Sequence, residues 1–158
     1  MLTILESRTL HWPNEEACRQ FAQRLGALPD LRNASLELHG GLGAGKTTFT
    51  RHLLRALGVE GRIKSPSYAV LESYELRHGL AHHFDFYRFE DPREWEDAGF
   101  RELFAAPGLK ISEWPDKAVG MLPRPDLRMR LEIDEAGGRL VTLEAASERG
   151  VAILRGLA

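Results

Sequence analysis

Cysteine is nearly absent from this sequence. Cys18 is the only one in 158 residues, so no intrachain disulfide and no cysteine-based metal cluster can form. Long apolar runs are missing too: no stretch approaches the roughly 18 residues that a membrane-crossing helix needs. Residues 1–13 carry neither a charged leader nor an apolar core of the signal-peptide kind. These absences give the expectation of a cytoplasmic protein with no membrane partner. Lysine is scarce, at four against seventeen arginines. Arginine is therefore the default surface charge, and each lysine position is informative. A net charge of −2 gives no electrostatic case for autonomous nucleic-acid binding, which usually shows as a strongly basic face. Repeats, low-complexity tracts and dividing linkers are also lacking, so a single domain over residues 1–158 is expected.

What is present is an ordinary globular mixture, 43% hydrophobic and 28% charged. Residues 2–10 suggest a first strand. Asn14 is a candidate N-cap for a helix reaching about Leu28, with Glu15 and Glu16 in the favoured first turn. Residues 34–39 alternate, with Leu36 and Leu38 apolar, and read as a strand. From Lys46 to Leu57 a helix is predicted, with Phe49, Leu53, Leu54 and Leu57 on one side and Gly58 closing it. Residues 67–76 and 80–89 read as antiparallel strands around a turn containing Gly79. Asp91 and Pro92 open a short helix that Gly99 ends. Residues 109–113 form a short strand stopped by Trp114-Pro115. Residues 127–134 and 139–144 flank Gly137-Gly138 as a hairpin, and Ser147 caps a last helix to Leu157. Strands interleaved with helices indicate an α/β fold, and the hairpins make its sheet mixed rather than wholly parallel.

Between the second strand and the second helix runs Gly40-Gly41-Leu42-Gly43-Ala44-Gly45-Lys46-Thr47-Thr48. It fits the pattern G-x-x-x-x-G-K-[ST] without a mismatch. The chemistry needs these residues at this spacing. Glycines let the backbone wrap around phosphates and turn its N–H groups inward. The following helix presents its positive end to the anion. Lys46 would reach the β- and γ-phosphates, and the Thr47 hydroxyl would serve Mg²⁺. Residues 42–48 are therefore the expected nucleotide-binding segment, for a triphosphate with Mg²⁺.

Such a site normally adds an acidic residue at the end of a neighbouring strand, and two candidates stand out. Glu113 ends a short apolar strand, and ligands gather at the carboxyl ends of strands in open α/β sheets. Asp85 lies between Phe84 and Phe86, so if those rings face the core, Asp85 faces the site or solvent. Ser65-Pro66-Ser67 could be a switch segment or a plain turn. Trp114 could stack on a base or belong to the core. His82 and His83 are adjacent on a strand, point to opposite faces, and make a poor metal pair. Arg51 and Arg88 could touch phosphate, though arginine is the common surface charge here.

Four separated runs together resemble one family. They are residues 43–49 of the loop, Lys64-Ser65-Pro66-Ser67-Tyr68, His83-Phe84-Asp85-Phe86-Tyr87-Arg88, and Glu113-Trp114-Pro115. In this order they resemble the TsaE (YjeE) family of small P-loop ATPases needed for the threonylcarbamoyl modification of adenosine next to the anticodon in tRNA. The resemblance implies a P-loop fold with a mixed sheet, parallel at its centre, flanked by helices and hairpins. It implies ATP and Mg²⁺, with Lys46 and Thr47 as loop lysine and metal ligand, Glu113 as the metal-site acid and Asp85 as a functional carboxylate. Trp114 would lie near the nucleotide, and residues 65–67 would form a switch. It further implies ATPase activity that is weak alone and stimulated by a partner complex of TsaD and TsaB, where TsaD performs the transfer. tRNA would be met indirectly or through that complex. Nucleotide-dependent self-association is compatible with the sequence. The family usually has Asp where Gly41 stands and Thr where Ser67 stands, so any role of the first side chain is in doubt. Three other readings use the same loop: a small-molecule kinase, a GTPase switch and a non-catalytic ATP-dependent scaffold. The kinase lacks a recognisable lid, and the GTPase lacks an N-K-x-D element.

Overall fold

Leu36 and Leu38 are fully buried on a strand whose other residues are half-buried, the two-residue alternation that seats a strand inside a sheet. That strand, β2 (Ser35–His39), lies in the middle of the sheet in the computed structural model, which describes residues 2–63, 66, 70–91, 93 and 99–158. Among the described residues the sheet has seven strands. The others are β1 (Glu6–Trp12), β3 (Leu71–Leu76), β4 (Gly79–Asp85), β5 (Leu109–Glu113), β6 (Leu127–Ile133) and β7 (Arg139–Ala145). Their order is β1-β7-β6-β2-β5-β4-β3. The inner four, β6-β2-β5-β4, run parallel, and antiparallel pairs close both edges. The expected mixed α/β fold with a parallel centre is what forms.

Helices α1 (Glu15–Gly26) and α2 (Lys46–Ala56) pack together on one face of the sheet. The Asn14 side chain caps α1 by accepting from the Ala17 N–H at 3.0 Å, and Cys18, Phe21, Ala22 and Leu25 form its buried stripe. From α2 come Phe49, Leu53 and Leu54. Trp12 links the two helices, with its ring centroid 5.4 Å from Phe21 and 5.8 Å from Phe49. The opposite face near β4 holds a second cluster of Phe84, Phe86, Phe89, Phe100 and Ala118. Helix α3 (Phe100–Ala105) supplies Phe100 to it, and the 3-10 turn Pro115–Ala118 supplies Ala118. Helix α4 (Glu148–Gly156) starts at Ser147, whose hydroxyl accepts from the Gly150 N–H at 3.0 Å. No helix among the described residues is long and apolar enough to cross a membrane.

Several boundaries differ from the sequence expectation, each for a local reason. The first strand runs from Glu6 to Trp12 rather than over 2–10, because its ladder with β7 starts at Glu6↔Ala145. β3 starts at Leu71, since Val70 has a left-handed φ of 65° that no strand tolerates. Its expected residues 67–69 lie outside the described residues, as does most of the helix expected from Asp91. Gly79 begins β4 rather than occupying the turn. β4 ends at Asp85 instead of reaching residue 89, because the Asp85 carboxylate accepts the Tyr87 N–H and turns the chain. Gly99, expected to end a helix, precedes α3 instead with φ 72°. Helix α3 and the 3-10 turn after Trp114 had no counterpart in the sequence reading.

Candidate functional site

The glycine-rich loop leaves β2 at the carboxyl end of the parallel strands, where β5 ends in Glu113 and β4 in Asp85. The ladders align these ends: Leu38 pairs with Glu113, and Glu113 with Asp85. Alternation puts Asp85 on the loop's side of the sheet, away from Phe84 and Phe86 in the second cluster, as the sequence suggested. A cleft of about 430 Å³ results, large enough for a nucleotide. It is lined by Leu42, Gly43, Ala44, Gly45, Lys46, Thr47 and Thr48 from one side. Asp85, Tyr87, Arg88, Glu113, Trp114 and Arg139 line the other. A second cleft of about 500 Å³ opens near the start of β5, among Leu28, Arg32, Arg55 and Arg77, and contains none of the motif residues.

The loop's backbone explains two of its glycines. Gly45 has φ 109° at the N-cap of α2, and a Cβ on Gly40 would meet the Leu131 carbonyl oxygen at 2.7 Å. Gly41 is different. Its φ lies outside the left-handed region, and a Cβ there would meet nothing within 4 Å. The loop's shape therefore does not require glycine at that position, and the carboxylate usual in the family is dispensable to the fold of the loop.

Helix α2 starts without a capping side chain and without an acid in its first turn. By contrast, α1 and α4 begin with a side-chain cap and acids. The first-turn N–H groups of α2, which have no acceptor within the helix, and its positive end are left facing the cleft. Lys46 is only 5% exposed. Its Nζ donates to the Gly40 and Gly41 carbonyls at 2.5 and 3.0 Å and sits 4.0 Å from the Trp114 ring centroid. Burial pushes its ammonium below the ordinary lysine value, while Glu113, Asp85 and Asp116 pull it back up.

Glu113, 2% exposed, accepts the Thr47 hydroxyl at 3.1 Å to Oε1 and 3.4 Å to Oε2. His83 Nε2 lies 2.5 Å from its Oε2. The two adjacent histidines do face opposite ways, since His82 Nδ1 pairs with the Ser73 hydroxyl at 2.8 Å. Asp85 is half-buried and accepts the Tyr87 N–H at 3.0 Å. Burial raises its carboxyl above the usual range. The Tyr87 N–H bond works against that rise, and the nearby Glu113 charge adds to it.

Trp114 adopts φ 56° and ψ 48°, a left-handed conformation that costs about 1–3 kcal/mol in a non-glycine residue. Its ring, 4.9 Å from Tyr87, roofs the lysine. Arg88 lines the cleft, whereas Arg51 is exposed on α2. Ser65 and Ser67 of the expected switch lie outside the described residues. Sequence reasoning missed Arg139. Its guanidinium donates to Ala44 O at 2.7 Å and Gly43 O at 3.3 Å on the loop, and to Gly137 O at 2.7 Å on the hairpin turn. It thereby clamps the loop from behind. Nothing in the chain marked this arginine out from sixteen others. His83 stands in the third of the four runs that resemble the family, yet nothing in that run assigns it a role.

The site is bipolar: the first turn of α2 and Lys46 can accept an anion, and the Thr47 hydroxyl with the Glu113 and Asp85 carboxylates can accept a cation. This suits a polyphosphate with a hard divalent cation, which takes oxygen ligands and few carboxylates. Burial of the Asp85 carboxyl, with the Glu113 charge beside it, has a measurable consequence. A raised Asp85 value means that its charged form opposes folding. The carboxyl's contribution is full when protonated, below about pH 4, and is lost as pH rises through the raised folded value. Asp85→Asn should therefore raise the ligand-free melting temperature at pH 7 by no more than about 2 °C, the side chain being half exposed to screening water. The gain should vanish toward pH 4. Thermal melts from pH 4 to 8 test this, and a variant less stable than wild type at pH 7 would contradict it.

A family model described as threonylcarbamoyl adenosine biosynthesis protein TsaE matches residues 12–141. Three relatives carry the name tRNA threonylcarbamoyladenosine biosynthesis protein TsaE. That of Haemophilus influenzae is 36% identical over 132 residues, covering 81% of this chain and 84% of its own. That of Bacillus subtilis is 36% identical over 116 residues, covering 72% and 71%. That of Rickettsia bellii is 30% identical over 143 residues, covering 90% and 97%. The crystal structure of YdiB from Bacillus subtilis superposes with a TM-score of 0.81 over 99% of this chain and 95% of that one. At 24% identity, that likeness speaks to the fold.

Proposed function

Since the chain belongs to the TsaE family, we propose that it binds ATP with Mg²⁺ and hydrolyses it in support of threonylcarbamoyladenosine modification of tRNA. It acts on a partner complex of TsaD and TsaB rather than performing the transfer. One observation carries the ATPase reading: the Thr47 hydroxyl at the uncapped start of α2 donates to the buried Glu113 carboxylate, beside Lys46. These three groups come from two distant parts of the chain and are the kinds that phosphoryl transfer needs, which supports the reading.

Each residue then has a task. The first-turn N–H groups of α2 and the loop backbone bind phosphate oxygens. Lys46 leaves the Gly40 and Gly41 carbonyls and turns to the β- and γ-phosphates, where its charge offsets that developing in the transition state. Thr47 and Glu113 would hold Mg²⁺, with the Thr47 hydroxyl donating to the carboxylate, and the ion would supply neutralising charge to the phosphates. Asp85, with its carboxyl value raised, lies beside Glu113 and orients the attacking water. Arg139 keeps the loop shaped, and Trp114 closes the cleft. An arginine finger supplied in trans by the partner complex, an effect worth about a thousandfold or more elsewhere, would account for weak turnover alone and stimulation by the complex.

The test is tRNA modification reconstituted from purified TsaD, TsaB and the remaining components, with and without this chain, and ATP turnover measured in parallel. Multiple rounds of modification should require the chain, and the TsaD–TsaB complex should accelerate its ATP turnover. Equal ATP turnover with and without the complex, or sustained modification without the chain, would overturn the proposal.

A further inference from the structure

His83 has no task in the scheme above, yet it is 1% exposed and lies on the strand that carries Asp85, facing the same side. Its Nε2 is 2.5 Å from Glu113 Oε2. Its Nδ1 is buried and has no hydrogen-bond partner among the described residues. A buried N–H without an acceptor is far more costly than a bare ring lone pair. Nε2 is therefore the nitrogen that donates, and it donates to the carboxylate. On the other side the Thr47 hydroxyl donates to Oε1. Glu113 is thus gripped by donors from β4 and α2, and its own strand fixes its backbone. The register lets His83 reach it. His83 pairs with Ile111, so Glu113 is the diagonal neighbour one step further along the same face.

We propose that His83 is the positioning residue of the divalent-cation site. It fixes the Glu113 rotamer so that the Oε1 side faces the Thr47 hydroxyl and the cation. Carboxylate ligands held by such outer hydrogen bonds typically lose about 10–100-fold in metal affinity when the bond is removed.

The inference rests on the ATPase reading, and the experiment separates the two. Binding of a non-hydrolysable ATP analogue to the full chain is followed by calorimetry as Mg²⁺ is titrated. Wild type, His83→Phe, His83→Gln and His83→Asn are compared, and ligand-free melting temperatures are recorded for all four. His83→Phe should raise the half-saturating Mg²⁺ concentration by about 10–100-fold, leaving analogue affinity in excess chelator unchanged. His83→Gln, whose amide nitrogen reaches the place of Nε2, should restore most of the loss. His83→Asn, whose amide nitrogen stops at the place of Nδ1, should not. A purely structural partner would lower the melting temperature without moving the Mg²⁺ dependence. Equal Mg²⁺ dependence in wild type and His83→Phe, or equal defects in the Gln and Asn variants, would overturn the inference. Should the Phe variant fail to fold, the Gln–Asn comparison decides alone. If wild type itself shows no Mg²⁺ dependence, the ATPase reading falls and this inference falls with it.

Discussion

Lys46→Ala should reduce ATP turnover by at least about 10²–10³-fold, the scale seen when one preorganised charge-stabilising donor is removed from a water-poor site. The reason lies in where the ammonium is held. At 5% exposure, between the Gly40 and Gly41 carbonyls and the Trp114 ring, it is desolvated and held in place at the cleft. Lys46→Arg should be nearly as damaging. A planar guanidinium is bulkier than an ammonium, and it has to fit between a ring 4.0 Å away and two loop carbonyls. The fold should survive either change, because burial already disfavours the lysine charge and the freed carbonyls face an open cleft. Turnover assays beside melting curves check this pair of statements. A folded Lys46→Ala variant with wild-type turnover would remove the loop from the chemistry.

Glu113→Gln should be the second severe change, and an informative one because the shape is kept. The amide oxygen can still accept from His83 Nε2, its NH₂ can donate to the Thr47 hydroxyl oxygen, and only the charge proposed to hold the cation is lost, so turnover should fall by about 10²–10³-fold at ordinary Mg²⁺. The ligand-free protein should be no less stable. Loss of the Glu113 charge removes one of the influences that raise the Asp85 carboxyl value, so that value should drop. Glu113→Ala behaves differently. It leaves the buried His83 donor unpaired, at a cost of about 1–3 kcal/mol, while the Thr47 hydroxyl can turn to water in the cleft, and melting temperature and turnover should fall together. Comparing the two variants by turnover and thermal melts separates the charge from the packing. Wild-type turnover in Glu113→Gln would exclude Glu113 as the metal-site acid.

The parts of the site that were legible in the sequence share one property: local pattern determines them. The loop is contiguous, and its glycines and Lys46-Thr47 carry their chemistry in spacing alone. Glu113 was placed by the end of a short apolar strand, and Asp85 by its alternation with Phe84 and Phe86. The parts that were not legible depend on register between distant strands. The contact of His83 with Glu113 exists because β4 and β5 align His83 with Ile111, and no spacing within either segment encodes that. Arg139 clamps the loop across 95 residues of chain. The strand ends that shifted did so for backbone reasons hidden from periodicity. Val70 turns left-handed before β3, and the Asp85 side chain folds β4 over at its end.

The parallel centre of the sheet carries a consequence for how the protein reaches its working state. Thr47 and Glu113 are 66 positions apart, and the strands that bring them together need long crossover connections. Contacts of that span form late, after local helices and hairpins. A half-folded chain lacks one side of the cleft, so the binding energy of the nucleotide proposed here would favour only the completed sheet. At a concentration a hundred times its dissociation constant, a ligand of this kind adds about 2.7 kcal/mol to the folded state. Nucleotide supply would then set the survival of newly made chains against proteolysis, and energy-starved cells would be expected to hold fewer copies of this protein.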